Sequence, residues 1–464
     1  MSWLTLTDIA TITKGELYNV DVAIDVAINS VSIDSRKVLS DSLFIAIKGE
    51  RFDAHDFVAD LVDKAGAALV SQRIDCRLPQ VIVKDTKQAL ADLAAGWRQQ
   101  YSNPVIGLTG SNGKTTLKEM IAAILAQKGH VLATDGNFNN DIGMPLTLLR
   151  IREDHDYAVI EMGANHFNEI DFLTHIAKPT VAVINNAGPA HLEGFGDIEG
   201  VAKAKGEIFA GLDDTGVAII NADDVYATYW SSLNKQRQTI TFGLTQPADI
   251  SGRYIAGEKL RICCNAANTV NNNTKNMIDV ALQLPGRHNA MNALAATAAV
   301  TALGVDLATV KQGLEALTSV SGRLAAIEVR EGFYLIDDTY NANPASASAA
   351  IDVLATRSGV QILVLGDMGE LGENAVMMHK AVGEQAKQAG IDYLFGLGAM
   401  SAEACAVFGQ AENAYSELDA LVVALQQLEQ HITKEVTILV KGSRGMAMEK
   451  VVSALSANIK QGIH

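Results

Sequence analysis

A chain of 464 residues is too long for one ordinary domain, so two or three are expected. With 48% hydrophobic and 19% charged residues it can bury several cores, and a net charge of −16 speaks against a nucleic-acid or anionic-membrane partner. Cys76, Cys263, Cys264 and Cys405 lack C-x-x-C spacing, so reduced thiols are a better account than a zinc or redox site.

The stretch from Met1 to Val20 carries Asp8, Lys14 and Glu16 and has no apolar signal core. A cytoplasmic protein is the expectation. From the start to Lys84, short β-like runs (Leu43 to Ile47, Ala68 to Val70, Val81 to Val83) alternate with polar turns, which reads as a small α/β domain over 1–84. From Asp85 the apolar runs Val105 to Leu108, Ala158 to Ile160, Thr180 to Ile184 and Gly216 to Ile220 are mostly separated by helical stretches, as in a buried parallel sheet. Thr239 to Gln283 turns β-rich with a polar tip at Asn271 to Asn273, which suggests an antiparallel insertion. The Ala-rich run from Ala290 to Val305 is too short to span a membrane and contains Asn292, so it reads as a buried helix. A third unit, 321–464, shows strands at Phe333 to Ile336, Ile362 to Leu365, Tyr393 to Leu397 and Val436 to Val440, with helices such as Ala345 to Thr356 and Ala375 to Ala389 between them. The whole is therefore an α/β protein of three domains: a small α/β unit, a central parallel-sheet unit over 85–320, and a Rossmann-like unit. Clefts between such units are where ligands gather.

The strand from Val105 runs into Thr109-Gly110-Ser111-Asn112-Gly113-Lys114-Thr115-Thr116 and then a helical stretch. Glycines let successive N–H groups turn inward, and the helix N-terminus adds positive potential for a triphosphate. Lys114 would neutralise the outer phosphates and the Thr115 hydroxyl would ligate Mg²⁺. Leu108 stands where the usual longer phosphate-loop pattern has its first glycine. ATP is the expected ligand.

Glu161 ends the next apolar run, where a carboxylate would face the phosphates, although a surface position is an equal alternative on spacing alone. His191 follows the turn after the Thr180 run, at the strand ends where ligands collect, and would hold a second Mg²⁺ or a substrate carboxylate. Spacing alone puts Lys203 and Lys205 on a solvated helix face.

Taken together, these residues resemble the Mur ligase family, and within it the type that adds D-alanyl-D-alanine to UDP-N-acetylmuramoyl-tripeptide. The likeness covers almost the whole chain in order. It implies a central P-loop ATPase-like domain, a first domain that binds the UDP substrate, and a third that binds the amine and closes over ATP. By resemblance, Glu161, His191 and Lys205, the last if carbamylated, join Thr115 as Mg²⁺ ligands, and Lys114, Glu161, His191 and Lys205 carry the catalysis. The ATP site would comprise Gly110 to Thr116 with His288, Asn289, Asn292, Arg323 of Ser321-Gly322-Arg323, and Asp338. Substrate binding would fall to Ser35 and Arg36, to Phe52, Asp53 and His55 of Gly49-Glu50-Arg51-Phe52-Asp53-Ala54-His55, to Asn137, Asn139 and Asn140, and to Tyr340, Asn341, Asn343 and Ser346. The segment Asp337 to Ser346 is the form expected when the amine is D-alanyl-D-alanine. Gly366 to Gly372 and Lys441 to Arg444 also look like this type. The implied reaction passes through an acyl phosphate and yields the pentapeptide precursor of peptidoglycan, ADP and phosphate, in a monomer. Alternatives are another ligase of the superfamily, a nucleotide-hydrolysing switch, or a UDP-sugar binding protein.

Overall fold

The computed structural model describes residues 4–20, 26–49, 52–255, 259–265, 277–318 and 322–457. Glu50, Arg51, Ser321 and the Asn271 to Asn273 tip lie outside them. Three α/β lobes follow one another along the chain, each built on its own main sheet.

In the first lobe the strands Ser30–Ser32, Ser42–Ile45, Ala67–Val70 and Gln80–Ile82 lie parallel in that order, with Glu16–Tyr18 closing the edge antiparallel. A two-stranded ribbon pairs Leu4–Thr5 with Ala27–Ile28. Helix Thr86–Arg98 is N-capped by Asp85, whose carboxylate accepts from the N–H groups of Lys87 and Gln88. Its apolar face belongs to a core shared by the first and central lobes, which includes Leu43, Leu69, Leu90, Leu93, Val105 and Ile160.

The central sheet has nine strands. From one edge the order is Val131–Ala133, Tyr157–Glu161, Val105–Thr109, Val181–Ile184, Val217–Asn221, Gln238–Gly243, Ile250–Ile255, Lys259–Cys264, Met277–Val280. Pairing is parallel as far as Ile250–Ile255 and antiparallel beyond it. The middle strands are apolar on both faces because helices cover both: Val105 faces one core, while Ile106 and Leu108 face the other. The β-rich stretch after Thr239 is therefore antiparallel at its outer strands, but it is no separate insertion. Its first two strands continue the parallel order, so the whole stretch extends the central sheet. The short Val131–Ala133 strand escaped the sequence reading because three residues carry too little periodicity.

The Ala-rich segment forms helix Arg287–Thr301, with eleven buried residues. It packs against helix Lys114–Leu125 and the sheet, so its low polarity reflects enclosure on nearly every side. Among the described residues no helix is long and apolar enough to cross a membrane.

The third lobe has six strands in the order Ala325–Arg330, Phe333–Asp338, Val436–Lys441, Val360–Gly366, Tyr393–Leu397, Ala414–Tyr415. The first pair is antiparallel and the rest parallel. Helix Pro344–Leu354 begins at its capping residue Asn343, with Pro344 in the first turn where its missing N–H costs nothing.

Candidate active site

The strand Val105–Thr109 sits inside the sheet, flanked by Tyr157–Glu161 and Val181–Ile184. The loops leaving these three strands meet at one edge. Gly113 caps helix Lys114–Leu125 at φ +77°, and a Cβ there would stand 2.6 Å from Asn292 Oδ1 and 2.8 Å from Asn185 Nδ2, so glycine is required twice over. The neighbouring strand's loop holds the phosphate loop open. Ser111 N donates to Asn186 O (3.0 Å) and Asn112 N to Asn186 Oδ1 (2.9 Å), while Asn185 Nδ2 donates to Asn112 O (2.9 Å). Ser111 Oγ exchanges hydrogen bonds with the backbone of Gly188. Lys114 Nζ donates to Gly110 O (2.7 Å), and loss of water lowers its pKa against the opposing pull of Glu161.

Glu161 is 1% exposed. Its Oε2 accepts from Thr115 Oγ1 (3.1 Å) and its Oε1 from Asn139 Nδ2 (2.7 Å), so the carboxylate is aimed at the loop and is no surface group. The Glu161 N–H donates to Thr134 Oγ1, and Lys118 Nζ in turn holds Thr134 O. His191 stands at φ +56°, with Nδ1 against the Glu370 carboxylate of the third lobe.

The two lysines separate. Lys203 is exposed and pairs with Glu199, as a solvated face predicts. Lys205 does not: it is fully buried, and its Nζ has no hydrogen-bond partner among the described residues and lies 5.5 Å from the centre of the Phe195 ring. Two positions on a helix differ by about 200° of rotation, so neighbours in sequence need not share a face. Burial, assisted by Lys114, pushes its pKa down to about 7.

The third lobe reaches onto the same loop. An Arg323 guanidinium nitrogen lies 3.4 Å from Thr115 Oγ1, and the guanidinium stacks 4.1 Å from the centre of the Tyr340 ring. Asn343 Nδ2 donates to Asn112 Oδ1 (2.7 Å), while its Oδ1 caps Ser346 N in a reciprocal capping box. Asp338 is buried against Lys441, whose Nζ donates to Asp338 Oδ2 (2.6 Å) and to Asn341 O (3.0 Å). Asn292 Oδ1 accepts from Asn185 Nδ2 (2.8 Å), and Asn292 Nδ2 donates to Asn289 Oδ1 (3.2 Å). His288 is kept neutral: desolvation, aided by Lys441 and opposed by Asp338, lowers its pKa to about 4.

Three family models match in sequence: the Mur ligase family catalytic domain over residues 27–98, the Mur ligase middle domain over 108–300, and the Mur ligase glutamate ligase domain over 322–444. The chain belongs to the Mur ligase family. It is 46% identical to UDP-N-acetylmuramoyl-tripeptide–D-alanyl-D-alanine ligase of Escherichia coli strain K12, over 98% of this chain and 99% of the relative. A crystal structure of MurF from Acinetobacter baumannii superposes with a TM-score of 0.88 at 35% identity, covering 97% of this chain and 98% of that one. MurF of Thermotoga maritima in complex with ADP gives 0.78 at 27% identity, covering 93% and 98%.

The remaining residues expected to matter in this Mur ligase stand elsewhere. In the first lobe, Ser35 and Arg36 open a short 3-10 turn, and Arg36 is paired in solvent with Asp34. Phe52 is 65% exposed. His55 is buried with both ring nitrogens engaged, Nδ1 with Asp53 (2.5 Å) and Nε2 with Ser71 N (2.8 Å), so here it braces its own turn. Asn137 is exposed, and Asn140 Oδ1 accepts from Gly143 N (2.8 Å), which holds the turn into helix Gly143–Leu148. Sequence reasoning gave no role to Asn185, Glu370 or Lys441. Lys441 lies one residue past the expected strand Val436 to Val440, and the structure draws it into the strand and buries it.

The donor set fits a hard divalent cation in part. The Thr115 hydroxyl and Glu161 carboxylate are suitable oxygens, whereas Lys205 as an ammonium would repel a cation and as a carbamate would bind one. Among the described residues no group of three or more His, Cys, Asp or Glu converges, so phosphate oxygens and water would complete any such site.

Proposed function

We propose that this Mur ligase joins D-alanyl-D-alanine to the terminal carboxylate of UDP-N-acetylmuramoyl-tripeptide at the expense of ATP, giving the UDP-muramoyl-pentapeptide precursor of peptidoglycan, ADP and phosphate. The observation that carries this reading is near-full-length similarity to a ligase named for that reaction. The geometry agrees with it: the phosphate loop is lined by two lobes, which suits a reaction that must bring two substrates to one nucleotide.

The tripeptide carboxylate attacks the γ-phosphorus of ATP, and ADP leaves. Lys114 and Arg323 offset the repulsion between these anions, with charges already in place before the reaction begins. Mg²⁺ would be held by Thr115 and Glu161, with His191 and a carbamylated Lys205 at a second ion, and would supply further neutralisation of phosphate charge. The third lobe excludes water from the acyl phosphate, which would otherwise hydrolyse. The dipeptide amine then attacks the acyl carbon and phosphate leaves.

In this scheme residues 1–84 bind the UDP portion through Ser35, Arg36, Phe52 and Asp53. Residues 85–320 bind ATP, and residues 321–464 bind the dipeptide and close the site. The enzyme works as a cytoplasmic monomer with no nucleic-acid partner. Phosphate release with the two co-substrates added singly and together tests this: release that requires both, with a dipeptide-extended product, supports it. Release indifferent to either would make the protein a simple nucleotide hydrolase.

A further inference from the structure

The loop after strand Val360–Gly366 holds Glu370 in a left-handed conformation, φ +60°, which an L-residue adopts at a cost. The loop around it is anchored at several points. Met368 and Leu371, on either side, are each 3% exposed. The Met368 N–H donates to Nε2 of fully buried His379 (2.8 Å), whose Nδ1 is tied to Ala375 O (2.7 Å). Asp367 O accepts from Ser443 Oγ (2.6 Å), and Asp367 Oδ1 from Ser401 N (2.7 Å). Between these anchors the Glu370 carboxylate projects across the lobe boundary onto His191, with its side chain 55% exposed.

Two carboxylates act on Lys114, Glu161 from its own lobe and Glu370 from the third. Glu161 is buried and both its oxygens are engaged by Thr115 and Asn139. Glu370 keeps half its surface open, and its contact with His191 can be exchanged. A negative group on an anchored loop, at the boundary between lobes and half open to solvent, suits a cation that arrives after the nucleotide. The zwitterionic dipeptide presents one, its ammonium.

We propose that Glu370 receives the ammonium of the incoming dipeptide and holds it beside the activated carboxyl group, where loss of one proton to solvent frees the amine for attack, an inference that rests on the ligase reading above. The contact is a charge-assisted hydrogen bond formed as the dipeptide enters, in exchange for the contact with His191.

The test is steady-state phosphate release by Glu370→Gln and Glu370→Asp, varying each substrate in turn. Glu370→Gln should raise the KM for D-alanyl-D-alanine by about tenfold or more, the loss expected for one hydrogen bond to a charged group. The KM values for ATP and UDP-muramoyl-tripeptide should stay within about twofold, and Glu370→Asp should recover part of the loss. An unchanged dipeptide KM overturns the proposal. So does an equal rise in all three KM values, which would make Glu370 a brace between lobes. Wild-type enzyme that releases phosphate without dipeptide would overturn the ligase reading itself, before any variant is compared.

Discussion

The phosphate loop and the front turns of the first lobe were both read from polar residues in short loops, and the structure treats them differently. At the phosphate loop other segments hold the chain in place: Asn185 and Asn186 hold the Asn112 backbone, Asn343 holds its side chain, and Thr115 and Asn139 hold Glu161. At the front, Arg36 pairs with a residue two positions away in solvent, and Phe52 lies open. A parallel sheet brings distant segments together at its strand ends, so a site there is organised before any ligand arrives. An isolated turn is held mainly by residues close in sequence, as Arg36 is by Asp34 and His55 is by Asp53. If the two places bind ATP and the UDP substrate as proposed, binding energy at the first can serve the transition state, whereas at the second it mainly holds substrate.

This difference is most sharply tested by Lys114→Ala. Removing a fixed charge at the transferred phosphoryl group should cost kcat on the order of a thousandfold, read as phosphate release at saturating substrates. Retention of more than a tenth of the wild-type kcat would mean the loop's organisation is not catalytic. Lys205 comes next. Its pKa near 7 leaves much of the amine neutral at physiological pH, the form that takes up CO₂. If the carbamate forms, stripping dissolved CO₂ should lower turnover by about ten- to a hundredfold, as for a lost group around a metal, and bicarbonate should restore it. Indifference to CO₂ would leave Lys205 as a buried amine with another purpose. At the front, Arg36→Ala should raise the KM for the UDP substrate only a few-fold, with kcat unchanged. A collapse of kcat there would erase the distinction between the two regions.

The same contrast explains what could be read in advance. The phosphate loop, its strand and its helix are contiguous, so glycine placement and apolar runs expose them in one stretch of chain. The three-lobed α/β plan was legible because buried parallel strands are continuous apolar runs. Lys205 was misplaced because burial depends on which helix packs over it, and spacing carries no record of Phe195 or Lys114 arriving from elsewhere. Glu370 was passed over for a similar reason. Its partner His191 lies in another lobe, and the residues that anchor its loop, His379 and Ser443, come from other segments of the chain. The stretch after Thr239 was read as an insertion because alternation reports one solvated face, not which sheet a strand joins.

The smallest effect, and the one most specific to the junction between lobes, concerns His288. Its pKa falls from 6.5 to about 4 because the ring is shielded from water and Lys441 stands nearby, with Asp338 only partly compensating. Between these two values the unfolded chain binds a proton that the folded protein refuses. Stability must then fall as pH drops from 6.5 toward 4, level off below that, and be unaffected above 6.5. His288→Gln removes this dependence while keeping a polar side chain. Melting temperatures of the two proteins should run parallel from pH 8 to 6.5 and then converge or cross as pH approaches 4, by a few degrees. Because every other titrating group is common to both, the difference isolates the ring. Parallel curves throughout would show that burial does not hold the His288 ring neutral in the folded protein.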